Sequence, residues 1–180
     1  MSIATPSLDA CRDRLPDELK DIRLNLAAVL TGENLSAVQS LGVALAAARF
    51  VRSNPLADAI ESDLRGGGGE SSAAVISDAV ASSGLMAMNT VYYRFRHMLG
   101  KESYEARSPR LRMGRMAQPA TSKADFELMS LGCAALAGCE LCIKNHEASL
   151  LHLGVSEDAC HDAVRIAAVV NAAACGLAGG

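Results

Sequence analysis

The sequence predicts an all-α protein, a single compact multi-helix domain over residues 1–180. Three observations lead there. Half of the residues are hydrophobic, yet only 3% are aromatic and Trp is absent, so the interior must be built from Ala, Leu, Val, Ile and Met. Side chains of that size suit closely packed helices better than a β-sandwich, which leans on aromatic and β-branched residues. Apolar residues recur at helical intervals, and no stretch alternates as a half-buried strand would. The length, 180 residues, suffices for one sizeable core.

The elements follow in order. Residues 1–16 are weakly patterned, and Pro6 and Pro16 bracket one short helix at most. Asp17 is placed to cap a helix to about Leu30, with Leu19, Ile22, Leu26 and Val29 as its apolar stripe. Thr31 to Asn34 reads as a turn. A second helix, about Ser36 to Val51, is apolar on nearly every side and belongs inside. Asn54-Pro55 starts a third, ending by Arg65. Gly66 to Gly69 lack the Lys-Ser/Thr and the preceding strand of a phosphate loop, so they read as a helix–helix connector.

Residues 71–99 read as a long helix with a possible break near Gly84, and Tyr92 and Tyr93 as its core filling. Residues 100–122, with Pro109, Gly114 and Pro119, form the one long loop-like stretch. Its five basic residues (Lys101, Arg107, Arg110, Arg112, Arg115) read as a solvated loop or subunit contact, with docking of an acidic partner as the sharper alternative. A helix over 123–137 carries no charge from Leu128 to Cys139, so it should be buried, with Glu127 at its entrance. Another helix over 139–153 ends at Gly154. Ser156 caps the last, which runs to about Ala178. Leu85–Leu99 and Leu136–Leu150 echo each other in their apolar positions, which admits a duplicated helical unit.

Charge and hydropathy remove several function classes. The net charge of −3 gives no reason to expect nucleic acid or an anionic membrane as partner. Met1 to Lys20 holds no apolar run of the signal-peptide kind, and Ile166 to Gly180 is too short and Gly-rich to span a bilayer. A cytoplasmic location is expected. There, six cysteines do not read as a disulfide framework; a Cys-x-x-Cys pair reads as redox or metal.

That pair lies in Gly138-Cys139-Glu140-Leu141-Cys142-Ile143-Lys144-Asn145-His146. With about 3.6 residues per helical turn, Cys139, Cys142 and His146 share one stripe, and His146 addresses Cys142 first. Gly138 permits a sharp bend, which would put Cys139 in the first turn of a new helix, where free N–H groups favour a thiolate. Helix position and exposure favour Cys139 as the attacking sulfur; proximity to His146 favours Cys142. Two readings stand on spacing alone. One is a redox dithiol. The other is zinc held by Cys139, Cys142 and His146, with Glu127 or His152 as a fourth ligand, although three donors on one helix are unusual for structural zinc. His97, His152 and His161 read as surface residues. Cys133, Cys160 and Cys175 read as small hydrophobes, and Cys11 has no role.

The chain resembles the AhpD-like alkylhydroperoxidases of the carboxymuconolactone decarboxylase superfamily. The resemblance rests on Lys123-Ala124-Asp125-Phe126-Glu127-Leu128, on Cys139-Glu140-Leu141-Cys142 with His146-Glu147, and on Asp21–Leu26, Met88–Arg94 and Leu111-Arg112-Met113 upstream. It covers nearly the whole chain, and the Glu…Cys-x-x-Cys-x-x-x-His combination is its specific part. It implies an AhpD-like helical domain that forms homotrimers. It implies an antioxidant dithiol peroxidase with alkyl hydroperoxide reductase activity that keeps an AhpC-type peroxiredoxin reduced. No tightly bound cofactor is implied; electrons come from protein-bound dihydrolipoamide on a lipoyl-bearing dehydrogenase-complex subunit. By position, Cys139 and Cys142 are the redox disulfide pair and Glu127 and His146 the proton relay. Some members have a histidine where this chain has Leu141. A non-redox decarboxylase or a zinc-stabilised module is the alternative.

Overall fold

The computed structural model describes residues 3–67 and 69–178. Among them there is no strand. The helices are α1 (Pro6–Arg12), α2 (Lys20–Val29), α3 (Ala37–Phe50), α4 (Asn54–Gly67), α5 (Ser72–Leu99), α6 (Glu102–Glu105), α7 (Gly114–Ala117), α8 (Lys123–Ala137), α9 (Glu140–His152) and α10 (Glu157–Leu177). Single 3₁₀ turns lie at Asp17–Leu19 and Gly69–Ser71.

Two helices form the centre. α3 is buried continuously from Ser40 to Ala48, and α8 from Phe126 to Ala134. Neither has a polar face because neither meets solvent along its middle. They lie against each other and both against α5 and α10. Small residues set this closeness: a Cβ on Gly132 would stand 3.3 Å from Val43 Cγ1 and 3.4 Å from Ala167 Cβ, so α3, α8 and α10 converge there. α9 packs on α8 and, more lightly, on α5. Among the described residues one helix, α10, is long and apolar enough to cross a membrane by length and composition; here it lies against α2, α3 and α8.

Local chemistry explains most boundaries. Ser36 and Gln39 form a reciprocal capping box on α3. Ser122 caps α8 by accepting from Asp125 N–H, and Ser156 caps α10 by accepting from Ala159 N–H. The expected cap at Asp17 is not made. The chain takes a 3₁₀ turn first, α2 starts at Lys20, and Asp17 pairs with Arg23 at 2.8 Å. Of the four-glycine run, Gly66 and Gly67 finish α4, Gly69 begins the 3₁₀ turn, and Gly68 lies outside the described residues.

Three further expectations are corrected and a fourth is refined. α5 is continuous through Gly84, whose missing Cβ faces open space and costs only about 1 kcal/mol of helix propensity. The possible duplication fails, because Leu85–Leu99 lies inside one helix whereas Leu136–Leu150 crosses the α8–α9 turn. Tyr92 and Tyr93 are half-buried, and beyond them α5 runs out of the bundle, exposing Val91, Phe95 and Met98. Residues 100–122 are, as expected, irregular apart from α6 and α7, but their end is held down. The fully buried Asp78 of α5 accepts hydrogen bonds from Arg115, from Ala120 and Thr121 N–H and from the Thr121 hydroxyl, strapping the segment's end to the bundle. Burial pushes the Asp78 carboxyl up, but the Thr121, Ala120 and Arg115 bonds outweigh it and hold the group below its ordinary range.

Candidate active site

The site forms where α8 stops and α9 starts. Gly138 adopts the left-handed conformation, φ 63° and ψ 34°, which L-residues other than glycine reach only with strain. Its N–H bonds Ala135 C=O and that of Cys139 bonds Ala134 C=O, closing α8. Cys139 is then extended, at the N-cap of α9, and its C=O accepts the first helical bond from Ile143. The reversal takes two residues and needs nothing else.

Cys139 and Cys142 are joined by a disulfide, with Cα atoms 5.3 Å apart. Ala134, Tyr93, Ala137 and Ile143 pack around the sulfurs. Cys139 is 1% exposed and Cys142 7%, which reverses the expected order. The N-cap residue is tucked under the end of α8, whereas Cys142, one turn in, lies nearer the rim. Both lie at the first turn of α9, whose free N–H groups favour negative charge on sulfur.

One turn beyond Cys142, His146 is buried and its Nδ1 stands 2.5 Å from Glu127 Oε2. Glu127 lies on the first turns of α8, 4% exposed. Its second oxygen is paired with Lys123 Nζ at 2.7 Å, and Lys123 also donates to Met116 C=O at 2.7 Å. Burial pushes the Glu127 carboxyl up. The bonds from His146 and Lys123 outweigh that, and the group stays below its ordinary value.

The other ring nitrogen, Nε2, lies 3.2 Å from the Met86 sulfur on α5. In the disulfide state the Nε2 edge of the ring is therefore directed at the Met86 sulfur. A carboxylate and a thioether are both acceptors. His146 thus meets an acceptor at each nitrogen. Leu150, one turn beyond His146, is fully buried, whereas Leu153 is 43% exposed.

The remaining titratable groups stand apart. Cys133 is fully buried, and burial pushes its thiol up to about 12 against a smaller lowering by Ser82. Burial also raises Cys11 and Cys160. Cys11 belongs to the core, and Cys175, expected in an apolar interior, is exposed on α10. His97, His152 and His161 are exposed, as expected. Zinc does not fit this geometry. Both sulfurs are in the bridge, both His146 nitrogens have partners, and no cluster of three or more His, Cys, Asp or Glu able to hold a metal occurs among the described residues.

Fold and site together define an all-α protein with a disulfide at a helix start, backed by a buried carboxylate–imidazole pair. Comparison with known proteins agrees. The model of the carboxymuconolactone decarboxylase family matches residues 103–177. The protein described as alkyl hydroperoxide reductase AhpD from Anaeromyxobacter sp. (strain Fw109-5) is 51% identical over 173 residues, covering 96% of this chain and 92% of that protein. Proteins of the same description from Anaeromyxobacter dehalogenans (strain 2CP-C) and Rhodospirillum centenum are 52% and 42% identical, over 95% and 93% of this chain and 90% and 89% of theirs. The chain belongs to the AhpD-like family of the carboxymuconolactone decarboxylase superfamily.

Two parts of the site escape a reading by residue type. Lys123 has a signal, since a Lys four residues before a Glu on a helix is an ion-pair spacing. Met86 has none: it lies 60 residues from His146 in the chain.

Proposed function

We propose that the chain is a thiol peroxidase that reduces alkyl hydroperoxides through Cys139 and Cys142. The observation that carries this reading is the closed disulfide one turn from the buried Glu127–His146 pair. In the reduced enzyme, His146 accepts a thiol proton, directly or through a water, while Glu127 orients the ring and stabilises its charge. The pair shares one thiolate, because two adjacent negative sulfurs are costly. Exposure and the His146 side both favour Cys142 as the attacking sulfur. The thiolate attacks the O–O bond and becomes a sulfenic acid; the leaving alkoxide takes a proton and departs as the alcohol. The second thiol displaces water from the sulfenic sulfur and closes the disulfide. Two thiols and one hydroperoxide thus give one disulfide, one alcohol and one water.

Reduction reverses the sulfur chemistry. A dihydrolipoyl group on a partner protein attacks the disulfide, passes through a mixed disulfide, and closes into its own five-membered ring. Its two protons end on Cys139 and Cys142. A monothiol lacks that internal release and needs a second encounter. Within this reading the chain also returns an AhpC-type peroxiredoxin to its dithiol form, works as a homotrimer and resides in the cytoplasm. A non-redox decarboxylase leaves the disulfide without a task.

The test is a thiol count on reduced protein before and after one equivalent of an alkyl hydroperoxide, with peptide mapping. Loss of two thiols, both from Cys139–Cys142, with dihydrolipoamide but not glutathione restoring them efficiently, is the expected result. Unchanged thiols, or a bridge through Cys133 or Cys175, would overturn the reading.

A further inference from the structure

We propose that the segment 94–112 is the docking surface for the protein that reduces the disulfide, and that this partner presents an acidic face. The inference deepens the dithiol reading above and rests on it for the partner's cargo. Three observations carry it, in charge, in pairing and in place.

The charge is polarised along the chain. Residues 94–112 hold Arg94, Arg96, Lys101, Arg107, Arg110 and Arg112 against Glu102 and Glu105, a net of +4 in a chain whose total is −3, so the remainder carries −7. A cationic segment on an anionic protein attracts anionic partners and orients them on approach.

The pairing is one-sided. None of these six cations forms an ion pair with a carboxylate among the described residues, whereas eight of the other eleven Lys and Arg do. Arg94, Arg96 and Arg107 instead donate to backbone carbonyls of Ala137, Glu105 and Ser103. Arg96 lies over the Tyr92 and Tyr93 rings, and Arg107 over Tyr104. Their positions are thereby fixed while their charge is not neutralised. Lys101, Arg110 and Arg112 have exposed side chains with no hydrogen bond among the described residues. A segment that only kept the chain soluble would have no need to fix cations and leave them uncompensated.

The place is the disulfide's rim. Tyr93 packs on the cluster of Ala134, Cys139 and Cys142, and Arg94 bonds the C=O of Ala137, two residues before Cys139. His97 lies near enough to Glu140, the first residue of α9, to help lower its carboxyl, behind the larger effect of Lys144. A partner held on this segment therefore has the segment's Arg94–His97 end as the approach to the bond it has to open. Exposed Phe95, Met98 and Tyr104 lie within the same stretch, supplying the apolar patch with a polar rim that protein interfaces use. A second copy of this chain is the competing occupant, because its net negative remainder also complements the segment.

The experiment uses three synthetic peptides, each with a central lipoyl-lysine, flanked by Asp/Glu, by Ser or by Lys. Reduction of the full-length protein's disulfide by the dihydrolipoyl forms, and binding of the dye-labelled oxidised forms by fluorescence anisotropy, are measured at low and high salt. Free dihydrolipoamide is the uncharged control. The expected result at low salt is kcat/KM at least about tenfold higher for the acidic than for the Lys-flanked peptide, the low end of electrostatic steering, and a gap that closes with salt. In the double variant Lys101→Glu/Arg112→Glu the preference should vanish or invert. In Lys101→Gln/Arg112→Gln it should be intermediate, with free dihydrolipoamide rates unchanged and circular dichroism confirming the fold.

Equal rates and equal binding for the three peptides would overturn the proposal. So would a charge reversal that changes the sedimentation coefficient and leaves peptide preference intact, since the segment would then be a contact between copies. Charge-graded binding without any reduction of the disulfide would uphold the acidic-partner surface and sink the dithiol reading, so the two failures are distinguishable.

Discussion

Glu127 is where a structural role and a chemical role separate most cleanly. Glu127→Ala removes two charge-assisted hydrogen bonds, one to His146 and one to Lys123. Such bonds are worth about 1.5–3 kcal/mol each. The Lys123 side chain is 39% exposed, so its share is screened and small. The His146 side chain is 8% exposed and cannot turn to water, so the expected loss is about 2–4 kcal/mol. Glu127→Gln behaves differently. An amide keeps one acceptor and turns the other oxygen into a donor, while Lys123 and His146 both donate. Lys123 can swing into solvent, so the amide oxygen keeps His146. Orientation survives, charge does not, and the stability cost falls to about 1 kcal/mol.

If Glu127 serves catalysis through its charge, Glu127→Gln still loses about 10²-fold or more in rate. The pH dependence gives a second check. The folded carboxyl lies below its ordinary value of 4.5, so its stabilisation is complete above that value and fades as pH falls through the folded one. The stability gap between wild type and Glu127→Gln should therefore narrow in acid. Urea unfolding and initial peroxidase rates, on the same samples with dihydrolipoamide as reductant, give rate per folded molecule. A folded Glu127→Gln that keeps more than about a tenth of the wild-type rate, below the usual range for acid–base help, refutes the relay.

Three further outcomes are expected. Lys123→Met removes one of the bonds that hold the Glu127 carboxyl down, so the acid edge of the pH–rate profile should move to higher pH, with a stability change under about 1 kcal/mol; an unmoved edge would leave Lys123 without a part. Asp78→Asn should destabilise by about 2–4 kcal/mol and speed limited proteolysis within 100–122, because one buried carboxylate fastens Arg115, Ala120 and Thr121; unchanged cleavage would show the strap to be idle. In native oxidised protein, iodoacetamide should label Cys175 first and reach Cys11, Cys133 and Cys160 only after unfolding; early labelling of Cys133 would contradict its burial.

The helices were legible because this chain states them locally. Ser36 with Gln39, Ser122, Ser156 and Gly138 each mark a boundary through bonds made within a few residues. The Glu127–His146 pair was legible mainly through the family resemblance, with Glu127 entering an uncharged helix as the one local sign that it needs a partner. Contacts set by how helices cross could not be read this way. Met86 meets His146, and Asp78 meets Thr121, over 60 and 43 residues of chain. No period in the sequence records either. The outer end of α5 misled for another reason. Its apolar residues have the spacing of a core helix, yet Val91 and Met98 are 61% and 78% exposed. Periodicity says that a face wants covering, not that this chain covers it.

Six thiols in one chain pose a problem of selectivity, and helix geometry rather than composition solves it. Cys133 and Cys139 are six residues apart, on the two sides of one turn. Cys133 lies in the buried run of α8, where burial pushes its thiol well up, so it stays protonated and unreactive. Had α8 continued through Gly138, Cys139 and Cys142 would be the next turn of that same apolar helix, with its N–H groups already used in backbone bonds. The left-handed residue ends the helix instead. It places both sulfurs at a new N-terminus with unpaired N–H groups and on the stripe that leads to His146. The same break sends Ala137 C=O outward to Arg94, which ties the turn to the basic segment. One glycine thus separates a cysteine buried within a helix from the disulfide pair at the start of the next, and ties that turn to the basic segment.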